Sequence, residues 1–116
     1  MFSKQTKKKR RKSHGKSILH CKDGTCYLCM KLNGDYRKYT ALHKHHVYGG
    51  ALRDISEREG FFAWLCLRHH IDGAEAVHNN QENMRFLQRE CQKAYERTHT
   101  RQQFMELIGR NYIEDR

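Results

Sequence analysis

The sequence predicts one small α+β domain whose hydrophobic core is too thin to be the only source of its stability. The chain has 116 residues, of which 37% are hydrophobic and 31% are charged, so it has room for a single core. Two segments have the composition of short β-strands, and two later segments have helical periodicity. Cysteines and histidines recur in close pairs, which is a pattern typical of metal ligands.

The first part of the chain is strongly basic. Residues 1–22 contain nine Lys or Arg and no acidic residue, whereas the other 94 residues contain 14 basic and 13 acidic residues, for a net charge of +10. Because seven like charges lie between Lys4 and Lys12, we expect residues 1–20 to form a disordered arm. Such an arm is typical of segments that bind DNA phosphates, and the alternatives are a solubilising tail or a nuclear-localisation cluster. The predicted nucleic-acid-binding side chains are Lys7, Lys8, Lys9, Arg10, Arg11 and Lys12.

The distribution of apolar residues predicts an intracellular, cytoplasmic protein with no membrane partner. The longest apolar run, Phe61 to Leu67, has seven residues, which is far short of a membrane-spanning helix. The charged N-terminus is not followed by the apolar region of a secretory signal. In a reducing compartment, five cysteines indicate metal binding rather than disulfide bonds.

The predicted folded domain covers residues 21–116, and its first half, residues 26–80, carries the strands. Residues 22–34 have turn signals on both sides of Cys26-Tyr-Leu-Cys29, which predicts a knuckle-like hairpin. Residues 36–48 predict a strand, and residues 51–60 predict a charged loop or a short helix that ends at Gly60. Residues 61–67 (FFAWLCL) predict a second, buried strand, which would place Trp64 in the core. Gly73 predicts a break in the segment that follows.

Two C-terminal helices occupy residues 81–116. Between 81 and 98, apolar residues recur at spacings of three and four, which predicts an amphipathic helix with Cys91 in the core. A second helix is predicted from 101 to 108. Thr100 and Gln103 have the spacing of a capping box at its start, and Gly109 stands where it ends.

Two pairs of residues predict a structural zinc site. Cys26-x-x-Cys29 and Cys66-x-x-His69 are separated by 36 residues, and zinc is commonly held by two such pairs from distant segments. A structural zinc contributes roughly 10 to 16 kcal/mol of apparent free energy, which would compensate for a thin core. The alternative is that Cys66 is only a core residue. Cys21 could compete as a ligand, but its position beside the basic arm favours a bystander thiol.

Four further histidines form a second group: His45, His46, His70 and His78. Neutral imidazole suits zinc, nickel, copper or iron better than magnesium. Three histidine ligands with one free histidine beside an open position would suit hydrolysis of a phosphodiester, since the metal polarises the phosphate and the free ring deprotonates water. The pattern therefore favours a reactive divalent-metal site in addition to the zinc.

These motifs resemble a known family. The order Cys26-x-x-Cys29, His45-His46-Val47, then Cys66-x-x-His69-His70 is similar to the HNH, or ββα-metal, endonucleases that carry a structural zinc. The stretch 56–78 resembles more narrowly the small phage-type HNH proteins related to recombination-enhancement nucleases. The resemblance covers residues 26–78 and implies a zinc-stapled, treble-clef-like ββα-metal domain, here with two C-terminal helices.

The resemblance also implies roles for the second histidine group. His45 would bind the catalytic divalent metal (Mg²⁺, Mn²⁺, Ni²⁺ or Zn²⁺), and His46 would be the general base. His70 and a further histidine downstream, best matched by His78, would complete the metal site, with His43 as the alternative to His78. The implied activity is DNA hydrolysis by a bacterial or phage-encoded protein, with DNA and a recombination or packaging protein as candidate partners.

The sequence departs from the family pattern at two points. No Asn lies between Asn33 and Asn79, whereas the family has a central Asn that orients the loop carrying the base. His70 and His78 are eight residues apart instead of the commoner four, with Gly73 between them. Two other hypotheses stay open, the first of them because of the missing Asn. One is a non-catalytic, zinc-stapled protein that binds nucleic acid, and the other is a regulatory protein whose arm binds an acidic partner.

Overall fold

The computed structural model describes residues 15–113. Within this range five α-helices and two β-strands form one α+β fold, as the sequence predicts. In chain order the elements are α1 (Tyr27–Asn33), β1 (His43–His46), a 3₁₀ turn (Gly50–Leu52), α2 (Arg53–Glu59), β2 (Phe62–Leu65), α3 (Leu67–His70), α4 (Gln81–Tyr95) and α5 (Arg101–Ile108).

The two strands form an antiparallel sheet whose faces carry different chemistry. Lys44 pairs with Trp64 and His46 pairs with Phe62, so the side chains of these residues share one face. His43 and His45 alternate with them and lie on the other face. Both strands are shorter than predicted, because each has a partner for only four residues and the chain before His43 pairs with no strand in the described range.

The segment predicted as a knuckle-like hairpin is instead helix α1. Cys26 is its N-cap residue, and the Cys26 Sγ accepts a hydrogen bond from the backbone N–H of Cys29 at 3.5 Å. Gly34 ends the helix in the left-handed conformation, with φ of 64°. The prediction was wrong because a glycine that follows an Asn ends a helix as well as it forms a hairpin turn.

Residues 16–20, which were predicted to belong to the disordered arm, instead lie against the second strand. The backbone N–H of Ile18 donates to the Gly60 carbonyl at 3.0 Å, and the His20 ring, which is buried, accepts from the Trp64 N–H at 3.2 Å. Gly60 ends α2 with φ of 82°, and a Cβ there would lie 2.5 Å from the Lys16 carbonyl oxygen. Glycine is therefore required at this crossing.

The two C-terminal helices are confirmed. Leu87, Cys91, Ala94 and Tyr95 form the buried face of α4, and Cys91 belongs to the core, as predicted. The N-terminus of α5 has the complete capping box of Thr100 and Gln103, and Gly109 ends the helix. Both helices contribute buried residues to the same core as α1 and β2, and the rings of Phe61, Tyr95 and Phe104 pack together there.

Candidate metal centres and the adjoining cleft

The first candidate metal centre combines the start of α1 with the start of α3. Cys26 and Cys29 come from the first turn of α1, while Cys66 is the N-cap residue of α3 and His69 lies three residues further on. All four side chains are buried. Because both pairs sit at helix starts, each turns two ligand atoms toward the same point.

The distances within this cluster fit a tetrahedral zinc ion. The His69 Nδ1 lies 3.6, 3.4 and 3.5 Å from the Sγ atoms of Cys26, Cys29 and Cys66, and the Cys29 and Cys66 sulfurs are 3.8 Å apart. Tetrahedral zinc with ordinary bond lengths separates a sulfur from a nitrogen by about 3.6 Å and two sulfurs by about 3.8 Å. This buried Cys₃His group could therefore bind a metal ion, consistent with the predicted structural zinc.

A bound cation would change the protonation state of the buried thiols in this cluster. Burial raises the pKa of Cys26 to about 12. Burial acts in the same direction on Cys66, but the backbone N–H of His69 and the neighbouring thiols outweigh it and lower the pKa of Cys66. A bound divalent ion would allow several thiolates to stay deprotonated in the same buried space.

Two further groups contact the Cys₃His cluster from outside. The Tyr39 hydroxyl lies 3.1 Å from the Cys29 sulfur, and the exposed Glu75 carboxylate lies 3.6 Å from the His69 Nε2. Since His69 faces the sulfurs through Nδ1, its Nε2 is free to interact with Glu75. Contacts of this kind orient metal ligands. Cys21 is exposed and lies outside the cluster, as predicted.

The second candidate metal centre gathers three of the predicted histidines: His45, His70 and His78. Their ligand nitrogens lie within 4.8 Å of one another, and the Nε2 atoms of His70 and His78 are 3.2 Å apart. His45 is buried, His70 is half-buried and His78 is exposed. The cluster is therefore closed on one side and open on the other.

His78 reaches this cluster through a turn rather than through helical spacing. The backbone N–H of Val77 donates to the His69 carbonyl at 2.8 Å, which places His78 beside His70. Gly73 has φ of 106° in the intervening turn, so the break predicted at this glycine is present. The Asn79 side chain donates to the carbonyls of Ile71 and Gly73 and fixes the turn.

The three rings also fit a cation, because one of their nitrogens has no partner among the described residues. Within residues 15–113, the Nε2 of His45 is buried without a hydrogen-bond partner, which is costly unless something binds it. Burial lowers the pKa of His45 to about 3, and the nearby His70 and His78 add to the effect. Burial, followed by His78 and His43, lowers the pKa of His70 to about 4. The two rings are therefore neutral at physiological pH, which is the form that binds a metal.

His43 supports the metal centre instead of joining it. Its Nδ1 lies 2.9 Å from the Nδ1 of His70, on the opposite side of the His70 ring from His78. This contact holds the orientation of His70, as the outer partners of metal-binding histidines commonly do. The described cluster contains His78 and not the alternative ligand His43.

His46 lies beside the three-histidine cluster and is held by a carboxylate. Its Nε2 is 2.6 Å from the Oε1 of Glu57, and the Lys44 ammonium lies 3.0 Å from the same oxygen. The Arg53 Nε is 3.4 Å from the other ring nitrogen, Nδ1. His46 and Arg53 line a cleft of about 370 Å³ together with the three clustered histidines.

Two residues that position His46 were not predicted from the sequence. Glu57 reaches the His46 ring from α2. The buried Ser56 donates its hydroxyl to the Tyr48 carbonyl at 2.7 Å and accepts from the Tyr48 N–H at 3.2 Å, which fixes the chain just after His46. No spacing in the sequence signals these contacts, because they form only when α2 folds back onto β1.

Other predicted features have mixed outcomes. The predicted nucleic-acid-binding side chains from Lys7 to Lys12 lie outside the described residues. Trp64, expected in the core, is half-buried and faces a surface groove.

Within residues 15–113, no helix combines the length and apolarity needed to cross a membrane. Comparison of the chain with protein-family models, with curated proteins and with solved structures finds no match.

Proposed function

We propose that this protein is a metal-dependent DNA endonuclease of the HNH, or ββα-metal, type, in which a histidine base drives hydrolysis of a phosphodiester bond. The observation that carries the proposal is the convergence of three histidine ligand atoms beside a fourth, carboxylate-bound histidine in one open cleft. The strand–helix–strand–helix order from β1 to α3 supports the finer assignment to a treble-clef-like fold related to the small phage-type enzymes.

The residues that would hold the catalytic ion are His45, His70 and His78. A divalent ion at this site would polarise the phosphate and stabilise the leaving oxygen. The all-imidazole ligand set favours zinc, nickel or another transition metal over magnesium. His43 keeps the His70 ring oriented through the contact between their Nδ1 atoms.

His46 is the proposed general base. Its Nε2–H donates to Glu57, which leaves the lone pair on Nδ1 to accept a proton from water. As the water oxygen bonds to phosphorus, the P–O bond to the leaving oxygen breaks and the water proton moves to Nδ1. The leaving oxygen takes a proton from solvent. Glu57 then faces an imidazolium ring, and its negative charge stabilises that ring. Solvent takes the proton before the next turnover.

Ser56 supplies the positioning that the missing Asn provides in the family. Its two hydrogen bonds to the backbone of Tyr48 fasten the loop that follows His46. Ser56 is completely buried, so these bonds do not compete with water. The lack of an Asn between His46 and Cys66 is thus compatible with an oriented base.

Positive charge near the cleft supports a DNA substrate. Arg53 is exposed beside His46, and its guanidinium can leave the Nδ1 to contact a phosphate as substrate enters. The basic residues 7–12 add further positive charge at the start of the chain and would contribute affinity without sequence preference.

A second candidate is a non-catalytic, zinc-stapled protein that binds nucleic acid. The observation that favours it is the missing Asn of the motif. In that case the Cys₃His cluster would stabilise the fold and the histidine cleft would have no catalytic role. The two candidates differ in whether DNA is cut, and a cleavage assay separates them.

The test is the cleavage of supercoiled plasmid with Mg²⁺, Mn²⁺, Ni²⁺ or Zn²⁺. We expect nicked and linear DNA with at least one of these ions. His46→Ala should lower the rate roughly 10²- to 10⁴-fold, because that is the usual contribution of a general base. His99→Ala, at an exposed position outside both clusters, is the matched control and should leave the rate unchanged.

Intact plasmid with every metal, from wild-type protein whose circular dichroism shows a folded chain, would favour the binding protein. Equal cleavage by wild type and His46→Ala would remove His46 from the mechanism.

A further inference from the structure

A second concave surface lies on the face of the sheet that carries Lys44 and Trp64. This aromatic groove has a volume of about 660 Å³ and is therefore larger than the histidine cleft. Its wall is the segment 15–22, and its floor is formed by Lys44, Phe62 and Trp64. Nothing in the proposed hydrolysis uses this groove, so its chemistry calls for a separate explanation.

Trp64 gives the groove a flat apolar surface. Phe62 is completely buried beneath it and supports the indole ring in an edge-to-face contact, with ring centroids 5.4 Å apart. On another side the buried His20 ring lies 5.8 Å from Trp64. The indole ring is thus held in place, while the residue stays half-buried. A large aromatic ring that is rigid and accessible is typical of binding surfaces.

The charge of the groove is positive. The Lys22 ammonium lies 5.8 Å from the Trp64 ring centroid, and the Lys44 ammonium lies 4.0 Å from that of Phe62. Lys16 also lines the groove, and none of the described residues that line it is acidic. Ammonium groups around an indole ring suit a ligand that combines a flat ring with a negative charge, as a nucleotide does.

The aromatic groove is adjacent to the histidine cleft. Lys44 lines both cavities, and the His46 ring packs edge-on against Phe62, with centroids 6.1 Å apart. In the sequence, the groove wall also follows immediately after the basic residues 7–12. A strand that places a phosphate near His46 can therefore continue past Lys44 into the groove.

We propose that the aromatic groove binds the unpaired part of a DNA strand, with a base stacked on Trp64 and the flanking phosphates near Lys22 and Lys44. This inference rests on the proposed function and narrows its substrate to DNA with an unpaired stretch beside the cleavage position, as in branched or single-stranded DNA. A base paired within a duplex is stacked on its neighbours and cannot lie on the indole ring. An acidic peptide would satisfy the lysines but would leave the ring face unused.

Trp64 is the only tryptophan in the chain, so its fluorescence reports directly on this groove. The protein used is the full chain carrying His46→Ala, which keeps the DNA intact. We expect a short oligothymidylate to quench the fluorescence at saturation. An abasic oligonucleotide with the same number of phosphates, and a blunt duplex, should leave it nearly unchanged. Equal quenching by the abasic strand, or no quenching by the oligothymidylate, would overturn the proposal.

Affinity measured by fluorescence anisotropy of labelled DNA provides the second readout. Trp64→Leu should weaken oligothymidylate binding roughly five- to hundredfold, as expected for one stacked base, and should leave abasic-strand and duplex binding unchanged. Trp64→Phe should bind oligothymidylate nearly as tightly as the protein with Trp64. This recovery would show that the lower affinity of Trp64→Leu does not come from misfolding. Tyr36→Leu, at an aromatic residue that is 66% exposed and does not line the groove, is the matched control.

An equal loss of affinity for all three DNA probes in Trp64→Leu would contradict the stacking role. The two proposals fail separately. Quenching by oligothymidylate, with no cleavage of either supercoiled plasmid or single-stranded DNA by the wild type, would leave the groove assignment in place and reject the nuclease. Cleavage by the wild type without quenching in the His46→Ala protein would support the nuclease and reject the groove assignment.

Discussion

The two candidate metal centres share residue types but differ in closure. The four side chains of the Cys₃His cluster are all buried, and their ligand atoms have spacings that fit a tetrahedral ion. The three-histidine cluster is buried at His45 and exposed at His78, and it opens into a cleft that also holds His46. Structural zinc sites are closed, whereas catalytic sites keep a position open for water or substrate. The closure of each centre thus indicates its role more clearly than its ligand types do.

The largest effect should come from the closed centre. Cys66→Ser should abolish the folded state at room temperature, because the roughly 10 to 16 kcal/mol supplied by structural zinc exceeds or equals the net stability of most small domains. Thermal unfolding followed by circular dichroism measures this. The control is Cys21→Ser, which changes an exposed cysteine outside the cluster and should unfold like the wild type. A Cys66→Ser protein with the wild-type melting temperature would contradict the structural role.

The ligand set of the closed centre could be predicted from the sequence, because two pairs with a fixed short spacing carry the information locally. The same holds for α5, whose capping residues Thr100 and Gln103 are neighbours in the chain. The local signal was misleading at Gly34, where one glycine suits both a hairpin and a helix end.

The open centre could be predicted only in part. His45 and His70 match the motif of the family that the sequence resembles, but His78 depends on a turn closed by the backbone bond between Val77 and His69. Glu57 and Ser56 become visible only in the folded chain, since they act across the space between α2 and β1. Contacts between distant segments have no fixed separation along the chain, so the sequence contains no pattern that predicts them.

An intermediate effect should come from Glu57, the carboxylate beside His46. Glu75, the carboxylate beside the closed centre, provides the matched comparison. Glu57→Gln should lower plasmid cleavage roughly 10- to 100-fold, less than the loss of the base itself, because an amide cannot stabilise the imidazolium form of His46. Glu75→Gln, beside the His69 of the closed centre, should leave cleavage within about twofold of the wild type, given the weak effect of an exposed contact. Rates measured at saturating metal separate the two, and equal losses would contradict the distinct roles of the centres.

The smallest effect should be a pH dependence of stability that originates in the open centre. The folded-state pKa of His45 is lowered to about 3 by burial, so in acid the unfolded chain binds a proton that the folded chain does not. Stability without added metal should therefore fall as the pH drops from about 6.5 toward 4, by up to about 1.4 kcal/mol per pH unit for this histidine.

The measurement is the melting temperature from pH 7 to pH 5 for the wild type and for His45→Gln. The melting temperature of the variant should depend less on pH than that of the wild type. Any loss of metal from the closed centre in acid affects both proteins alike. Parallel curves for the two proteins would show that His45 is not the source of the dependence.

The number of metal ions bound per chain, measured by equilibrium dialysis against zinc and elemental analysis, shows directly whether the open centre binds metal. We expect two ions for the wild type and one for His45→Gln, with the variant still folded because the closed centre keeps its ion. One ion bound by the folded wild type, or two retained by the variant, would contradict the existence of a second, open metal centre.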